Sequence, residues 1–244
     1  MWSYAWFLHD SAIVWANTDC TCSQPWAANA VNPSFLVAKA VHERLDPSGG
    51  PAIHVHSLSE PVKVSYKTVR QQIPPLLFPP VTHDPPPTFD LVVFIGMAGP
   101  RSYYTLETRA ARDGYNSPDC DGEVLHGADK HLWEQLYNAP EALNTGFDTD
   151  DVWRRWKTLV MDADVRPSTN AGRYLCEFIY YTGLVEYWRR GRGGATPVVF
   201  LHVPGAHDNQ AVERGVRVAE SLIQALVQSG RASGILKADK TGRF

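Results

Sequence analysis

The sequence lacks several features that would place it in a specialised class of protein. No apolar run approaches the roughly 20 residues that a helix needs to cross a bilayer. The apolar start, residues 1–8, has no basic segment before it, so we do not expect a signal peptide. Charge is also sparse: charged residues make up 20% of the chain and the net charge is -3. We therefore expect neither nucleic acid nor an anionic membrane as a partner.

Cysteine is scarce, with Cys20, Cys22, Cys120 and Cys176 in 244 residues. Four cysteines in a chain of this length do not make a disulfide scaffold. The closely spaced Cys20 and Cys22 have no matching cluster of His or Cys nearby, which makes them a poor zinc site. We therefore expect reduced thiols and a cytoplasmic location.

Apolar segments with strand and helix patterns alternate along the chain, and 44% of the residues are hydrophobic, enough for a full core. The patterns predict strands at 53–56, 62–66, 89–96 and 198–201. They also predict five helices. One begins at Pro33 and includes 35–41, and a second carries Val69, Ile73 and Leu76; the other three span 152–160, 175–188 and 211–227. This order indicates an α/β fold in which helices cover both faces of a sheet, an α/β/α sandwich.

Three chemically distinctive residues lie on separate elements: Cys176, His202 and Glu107. Singly, each has an ordinary structural explanation, as a buried thiol, a hydrogen-bonded imidazole and a surface acid that follows a strand. Together they are the components of a cysteine-nucleophile hydrolase. We expect Cys176 in the first turns of a helix, preceded by capping residues at Ser168 and Asn170. A helix N-terminus favours a thiolate, and its backbone N–H groups can bind an oxyanion.

The segments that carry these residues resemble pyroglutamyl peptidase type I, a family of cysteine peptidases that remove an N-terminal pyroglutamate. The resemblance spans about residues 32 to 228. It rests on Gly96-Met97-Ala98-Gly99 followed by Thr105-Leu106-Glu107, on Ser168-Thr169-Asn170-Ala171-Gly172-Arg173-Tyr174-Leu175-Cys176, and on Phe200-Leu201-His202-Val203-Pro204. The segment that ends in Cys176 is the most specific of these motifs.

The resemblance implies a three-layer α/β/α sandwich with a twisted mixed sheet, shared in outline with purine nucleoside phosphorylases. It implies that Cys176 is the nucleophile, that His202 is the proton carrier and that Glu107 orients the imidazole. Met97 and Tyr174 are implied as substrate-binding residues. The implied partner is a peptide with an N-terminal pyroglutamate, and no metal or cofactor is needed. A phosphorylase is disfavoured because the sequence has no Gly-rich phosphate-binding loop.

The N-terminal region departs from the family. Members open with an apolar strand and a Gly-Phe-Gly-Pro-Phe loop that forms part of the substrate pocket, whereas this chain has the segment 20–26 there. We therefore divide the chain into a divergent segment, 1–31, and a pyroglutamyl-peptidase-like domain, 32–244. Loss of the first strand would expose a sheet edge. The alternative function is a weak or inactive homologue that acts as a binding or interaction protein.

Overall fold

The computed structural model describes residues 11–16, 32–48, 50–80, 89–127, 131–192 and 196–236. The strands are β1 (Ser11–Ala16), β2 (Arg44–Leu45), β3 (Ile53–Ser57), β4 (Leu91–Met97), β5 (Tyr104–Glu107), β6 (Arg109–Ala111), β7 (Ala142–Asn144), β8 (Val165–Ser168) and β9 (Val198–Val203). The helices are α1 (Pro33–Ala40), α2 (Tyr66–Leu77), α3 (Leu132–Tyr137), α4 (Thr149–Leu159), α5 (Leu175–Tyr187) and α6 (Asn209–Ser233).

Seven of these strands form one mixed sheet in the order β2-β3-β1-β4-β9-β5-β8. Strand β9 is parallel to β4 and antiparallel to β5, so the direction of pairing changes at β9. Strand β4 is apolar throughout, and all six residues of β9 are buried and apolar except for His202. Such runs suit central strands that are covered on both faces. The structure therefore confirms the predicted mixed sheet.

Helices pack on both faces of the sheet because side chains of a strand alternate between the faces. Val93 and Ile95 of β4 join a core formed with α1, α4 and α6. Val92 and Phe94 join the opposite core, which includes Phe178 of α5 and residues of α2. The predicted three-layer α/β/α sandwich is confirmed. Within the described ranges, no helix combines the length and the apolar character that a bilayer crossing requires.

The N-terminal segment contributes a strand to the interior of the sheet. Strand β1 is parallel to both of its neighbours, with Ala12 aligned with Val55 of β3 and with Leu91 of β4. The expectation that a lost first strand leaves an exposed edge is therefore wrong, because β1 fills the place between β3 and β4. Residues 17–31, which include Cys20 and Cys22 and the segment expected to replace the family's aromatic loop, lie outside the described residues.

Helix starts show where local sequence patterns suffice and where they fail. Helix α1 begins at Pro33 as predicted, and Oδ1 of Asn32 accepts a hydrogen bond from the N–H of Ser34 at 2.9 Å. The strand predicted at 62–66 is wrong: in the described range 50–80 no strand is formed between β3 and α2, and α2 begins at Tyr66. The backbone N–H of Tyr66 donates to Oδ2 of Asp119 at 3.0 Å. This partner is distant in sequence, so the local pattern gives no sign of it.

Candidate active site

His202 lies near the carboxyl end of β9, within the strand rather than after it. Its neighbours in the sheet are Gly96 of β4 and Thr105 of β5. The side chain is buried, and its Nδ1 lies 2.9 Å from Oε1 of Glu107. One face of the ring packs near Phe200, with ring centres 4.7 Å apart. The imidazole is therefore fixed in place by two neighbouring strands.

Glu107 is the last residue of β5 and is fully buried. Glu107 lies in the segment that follows β4, as the sequence indicated, but this segment forms a strand of its own. The alternative of a solvent-exposed surface acid is wrong, because the side chain is buried. Its backbone carbonyl accepts a hydrogen bond from the hydroxyl of Tyr180 at 3.0 Å. Of the two carboxylate oxygens, Oε1 accepts from His202, and Oε2 has no hydrogen-bond partner among the described residues. A buried carboxylate needs compensation for its charge, so its contacts determine its chemistry.

Cys176 is the second residue of α5. The preceding turn is shaped by short-range hydrogen bonds: Oγ of Ser168 accepts from the N–H of Asn170, and Oδ1 of Asn170 accepts from the N–H of Gly172. Gly172 has a φ of 101°, which favours glycine. Ser168 and Asn170 were expected to cap the helix, but the N-cap residue is Tyr174. They shape the turn that leads into the helix.

A glycine on β4 gives the thiol room to approach the sheet. A Cβ added at Gly96 would lie 3.0 Å from Sγ of Cys176 and 2.5 Å from Cζ of Phe200. Both distances are shorter than ordinary packing allows. Because Gly96 is paired with His202 in the sheet, the thiol lies beside the imidazole and raises its pKa. The structure thus brings together all three residues that the sequence singled out.

The surroundings of His202 change its proton affinity. Burial lowers the pKa of His202, but hydrogen bonds to Cys176 and Glu107 and the negative charges of both groups outweigh this effect. The pKa is raised from 6.5 to about 9. The imidazole therefore stays protonated at neutral pH when the thiol is ionised, which is the charge state of a thiolate–imidazolium pair.

Met97 and Tyr174, the two residues implied in substrate binding, are close in sequence to Gly96 and Cys176. Met97 ends β4 next to Gly96 and is paired with Val203. The hydroxyl of Tyr174 donates to the carbonyl of Pro118 at 3.1 Å. Burial, together with the nearby charges of Asp119, Cys120 and Cys176, raises the pKa of Tyr174 to about 12. Tyr174 therefore remains neutral near the thiol.

Arg101 is part of the site, although the sequence analysis did not select it. It follows the turn after β4, and its Nη1 lies 2.9 Å from Oε1 of Glu107 and 2.7 Å from Oγ1 of Thr105. Its Nη2 lies 3.4 Å from the carbonyl oxygen of Asn170 in the turn before α5. The only sequence signal is its place between the glycine-led segment and Glu107.

Glu177, the residue after Cys176, was also missed. Its buried carboxylate accepts hydrogen bonds from the backbone N–H groups of Ala111, at 2.9 Å, and Arg173, at 2.8 Å. The guanidinium of Arg173 adds an ion pair at 3.0 Å. These contacts join the first turn of α5 to β6, which fixes the position of the thiol.

A cavity of about 480 Å³ lies at the carboxyl end of β9 and is lined by Arg101, Val203 and Arg214 among others. Val203 belongs to the core on the face opposite Phe200, so this cavity is not on the face that carries the thiol. Among the residues that the structure describes, no cluster of three or more His, Cys, Asp or Glu side chains could hold a metal ion. Cys120 and Cys176 are free thiols.

Comparison with known proteins places this geometry in context. The chain is 34% identical to pyroglutamyl-peptidase 1 of Rattus norvegicus over 184 residues, which cover 74% of this chain and 75% of the relative. It is 31% identical to pyroglutamyl-peptidase 1 of Homo sapiens over 213 residues, 84% of this chain and 88% of the relative. No family model matches the chain.

Solved structures with the same fold carry related names. Pyrrolidone carboxyl peptidase from Thermus thermophilus has a TM-score of 0.60 and 21% identity, and the match covers 90% of this chain and 99% of that one. The enzyme from Fervidobacterium islandicum has a TM-score of 0.65 and 20% identity, with the same coverage of 90% and 99%. At these identities the structural likeness shows the fold.

Proposed function

The chain belongs to the pyroglutamyl-peptidase 1 family, and from this premise we propose that it is a cysteine peptidase that removes an N-terminal pyroglutamate from peptides. The observation that carries the proposal is one buried imidazole, His202, that contacts the Glu107 carboxylate and has its pKa raised by the neighbouring Cys176 thiol. The reaction is acyl transfer: the amide bond after pyroglutamate is broken by way of a thioester, which water then hydrolyses.

Cys176 acts as the nucleophile. Its thiolate attacks the carbonyl carbon that joins pyroglutamate to the next residue, and a carbon–sulfur bond forms. The imidazolium of His202 gives its proton to the leaving amine as the carbon–nitrogen bond breaks. The raised pKa of His202 supports this role because the proton is present at neutral pH. In the second half of the cycle, neutral His202 removes a proton from water as the water oxygen bonds to the thioester carbon. The carbon–sulfur bond then breaks, and the released thiolate and the protonated His202 restore the ion pair.

Glu107 orients the imidazole. Its Oε1 lies 2.9 Å from Nδ1 of His202, so Nδ1 carries the hydrogen of this bond and Nε2 is directed to the reaction. Because Glu107 is buried, its negative charge is screened little by water and stabilises the imidazolium. No step of this mechanism needs a metal ion or a cofactor.

The first turn of α5 supplies the environment for the developing negative charge. Cys176 is the second residue of that helix, where backbone N–H groups point toward the N-terminus and the helix dipole favours an anion. These groups stabilise the thiolate before attack and the tetrahedral oxyanion after it. The oxyanion therefore forms close to the same helix end that activates the thiol.

The substrate pocket is bordered by Met97 and Tyr174. Pyroglutamate is a small neutral lactam with one N–H donor and one additional carbonyl acceptor. The backbone at the end of β4 around Met97 can pair with these groups, and the half-buried ring of Tyr174 can cover the lactam ring. A site built on hydrogen bonds rejects substrates that lack the matching groups.

A reducing compartment suits this chemistry, and we therefore assign the protein to the cytoplasm. The nucleophile must remain a free thiol, as Cys176 is, and oxidation of a thiol ends its nucleophilicity. The net charge of -3 supports a peptide rather than nucleic acid or an anionic membrane as the partner.

The proposal is tested by hydrolysis of pyroglutamyl-aminomethylcoumarin by the purified full chain, with the prolyl compound as a comparison. The prolyl ring has the same size but lacks the lactam carbonyl. We expect cleavage of the pyroglutamyl substrate and a kcat/KM about 10⁴-fold lower for the prolyl one. Absence of cleavage, or equal cleavage of both, would contradict the proposed function.

A further inference from the structure

One carboxylate oxygen in the triad is shared by two cationic side chains. Oε1 of Glu107 lies 2.9 Å from Nδ1 of His202 and 2.9 Å from Nη1 of Arg101. The two partners differ in one respect that matters for the reaction. His202 gains and loses its proton in each cycle, whereas an arginine keeps its charge at every pH at which proteins are folded.

The charge of Glu107 is hardest to accommodate when His202 is neutral. After the imidazolium has given its proton to the leaving amine, Glu107 is a fully buried carboxylate beside an uncharged ring. Its other oxygen, Oε2, has no hydrogen-bond partner among the described residues. An unpaired buried carboxylate is costly and tends to take up a proton. Such a proton would have to come from His202 or from solvent.

We propose that Arg101 is a positioning residue that keeps Glu107 ionised while His202 gives up its proton. This role rests on the proposed function, since it concerns the same proton transfer. The fixed positive charge compensates the carboxylate in both charge states of the imidazole. It also repels the imidazolium, which makes His202 a stronger acid than Glu107 alone would allow. Without Arg101, the Glu107–His202 pair holds its proton more tightly.

Few other charged or titratable groups face this pair. From α5, Cys176 faces His202, and the hydroxyl of Tyr180 donates to the backbone carbonyl of Glu107. Burial raises the pKa of Tyr180 well above its ordinary value, so this hydroxyl is neutral. From β4, the facing residue is Gly96, which has no side chain to titrate. Arg101 is therefore the group whose removal changes the charge beside Glu107.

A purely structural role for Arg101 predicts a different result. Its Nη2 also contacts the carbonyl of Asn170 in the turn before α5, so its removal could simply displace Cys176. Displacement lowers the rate without a systematic change in the proton affinity of His202. Replacement by lysine keeps the charge but loses the fork that spans Glu107 and Asn170. The pH profile and the lysine variant therefore separate the two roles.

The experiment measures the rate of Cys176 alkylation by iodoacetamide against pH in the full chain. At high pH, the rate changes when His202 loses its proton, and in the unmodified chain we expect this change near the His202 pKa of about 9. Arg101→Gln should move it upward by about one pH unit and lower kcat for the pyroglutamyl substrate about 10-fold. Arg101→Lys should restore the wild-type position and part of the rate.

The matched control is Arg214→Gln, which removes an arginine that lines the same cavity as Arg101. It should leave the profile and the rate unchanged. Arg101→Met is a second neutral variant if Arg101→Gln does not fold. An unchanged profile in a folded neutral variant, an equal shift in Arg214→Gln, or failure of both neutral variants to fold would overturn the proposal. Alkylation requires no peptide cleavage, so a failure of the proposed function would appear separately, in the hydrolysis assay.

Discussion

The ionisable side chains of the triad lie where burial disfavours charge, and their contacts with one another and with Arg101 offset this cost. Glu107 is fully buried, yet it is accompanied by Arg101 and by the imidazole of His202. His202 is buried as well. Burial lowers its pKa, but the neighbouring Cys176 and Glu107 raise the pKa by more than burial lowers it. The balance of these opposing effects sets the pH range in which the ion pair exists.

The pH dependence of activity follows from His202. Its pKa in the folded protein, about 9, lies above the ordinary value of 6.5. The stability that its protonated form contributes is therefore fully present below about pH 6.5 and is lost as the pH rises through about 9. We expect kcat/KM for the pyroglutamyl substrate to fall on the alkaline side near pH 9. An alkaline limb that remains near pH 6.5 would show that the ion pair does not form.

Substitution of each triad residue should have a graded effect. Cys176→Ala removes the proposed nucleophile and should abolish turnover, and His202→Ala should come close to this. Glu107→Gln should leave measurable activity, since the group it orients is still present. Cys120→Ala is the matched control because Cys120 is the other described free thiol, and it should keep the wild-type rate. Wild-type activity in Cys176→Ser would contradict a thiolate mechanism.

The sequence singled out three side chains that the structure brings together, but not their surroundings. Cys176 and His202 stand in recognisable local patterns, a small-residue turn before a helix and an apolar strand. Glu107 was placed in a segment after the strand at 89–96, but no strand was predicted for that segment, because β5 is short and has no clear alternation of polar and apolar residues. Arg101 could not be predicted, because its role depends on how the turn after β4 folds back over Glu107.

Among the secondary-structure elements, β4 and α5 determine where the thiol lies. A methyl group at Gly96 would collide with the Phe200 ring at 2.5 Å and approach the Cys176 sulfur at 3.0 Å. We expect Gly96→Ala to lower the free energy of unfolding by about 1–3 kcal/mol. It should also lower kcat, because the displaced thiol is no longer aligned with His202.

The control for this substitution is Gly50→Ala. A Cβ there would lie 3.5 Å from Cγ of Pro47, which is ordinary van der Waals contact. Denaturant unfolding and steady-state kinetics on both variants make the comparison. If Gly96→Ala unfolds and turns over like Gly50→Ala, the close approach of the thiol to β4 is not needed.

Elements were predictable where their determinants are local. Asn32 and Pro33 mark the start of α1, and the apolar runs of β4 and β9 mark buried strands. The interpretation of 62–66 as a strand was wrong. The valines of this segment favour a strand, but the carboxylate of Asp119, which is distant in sequence, accepts the N–H of Tyr66 at the start of α2. Contacts between segments far apart in sequence are not encoded in a local pattern.

The sheet as a unit depends on β1. This strand lies between β3 and β4 and is parallel to both, so it joins the two parts of the sheet. We expect the amides of Ser11–Ala16 to exchange with deuterium about as slowly as those of Leu91–Met97, since both sets belong to interior strands. Exchange by mass spectrometry checks this. Fast exchange in Ser11–Ala16 with slow exchange in Leu91–Met97 would show that the strand is not held in the sheet.

The layered architecture was accessible from the sequence, whereas the strand order was not. Alternation of helical and strand patterns is enough to predict helices on both faces of a sheet. The change from parallel to antiparallel pairing at β9 depends on the short strand β5, which lacks a strong pattern. The family resemblance predicted a mixed sheet, but it also led to the wrong expectation that the first strand was missing.

The most direct test of the central claim is detection of the acyl-enzyme. The full chain is mixed with a pyroglutamyl substrate, quenched in acid within the first turnovers and analysed by mass spectrometry after digestion. We predict one pyroglutamyl group attached to the peptide that contains Cys176, present during turnover and absent from Cys176→Ala. Hydrolysis that continues in Cys176→Ala, or turnover without any adduct on Cys176 in a trapped sample, would contradict the account.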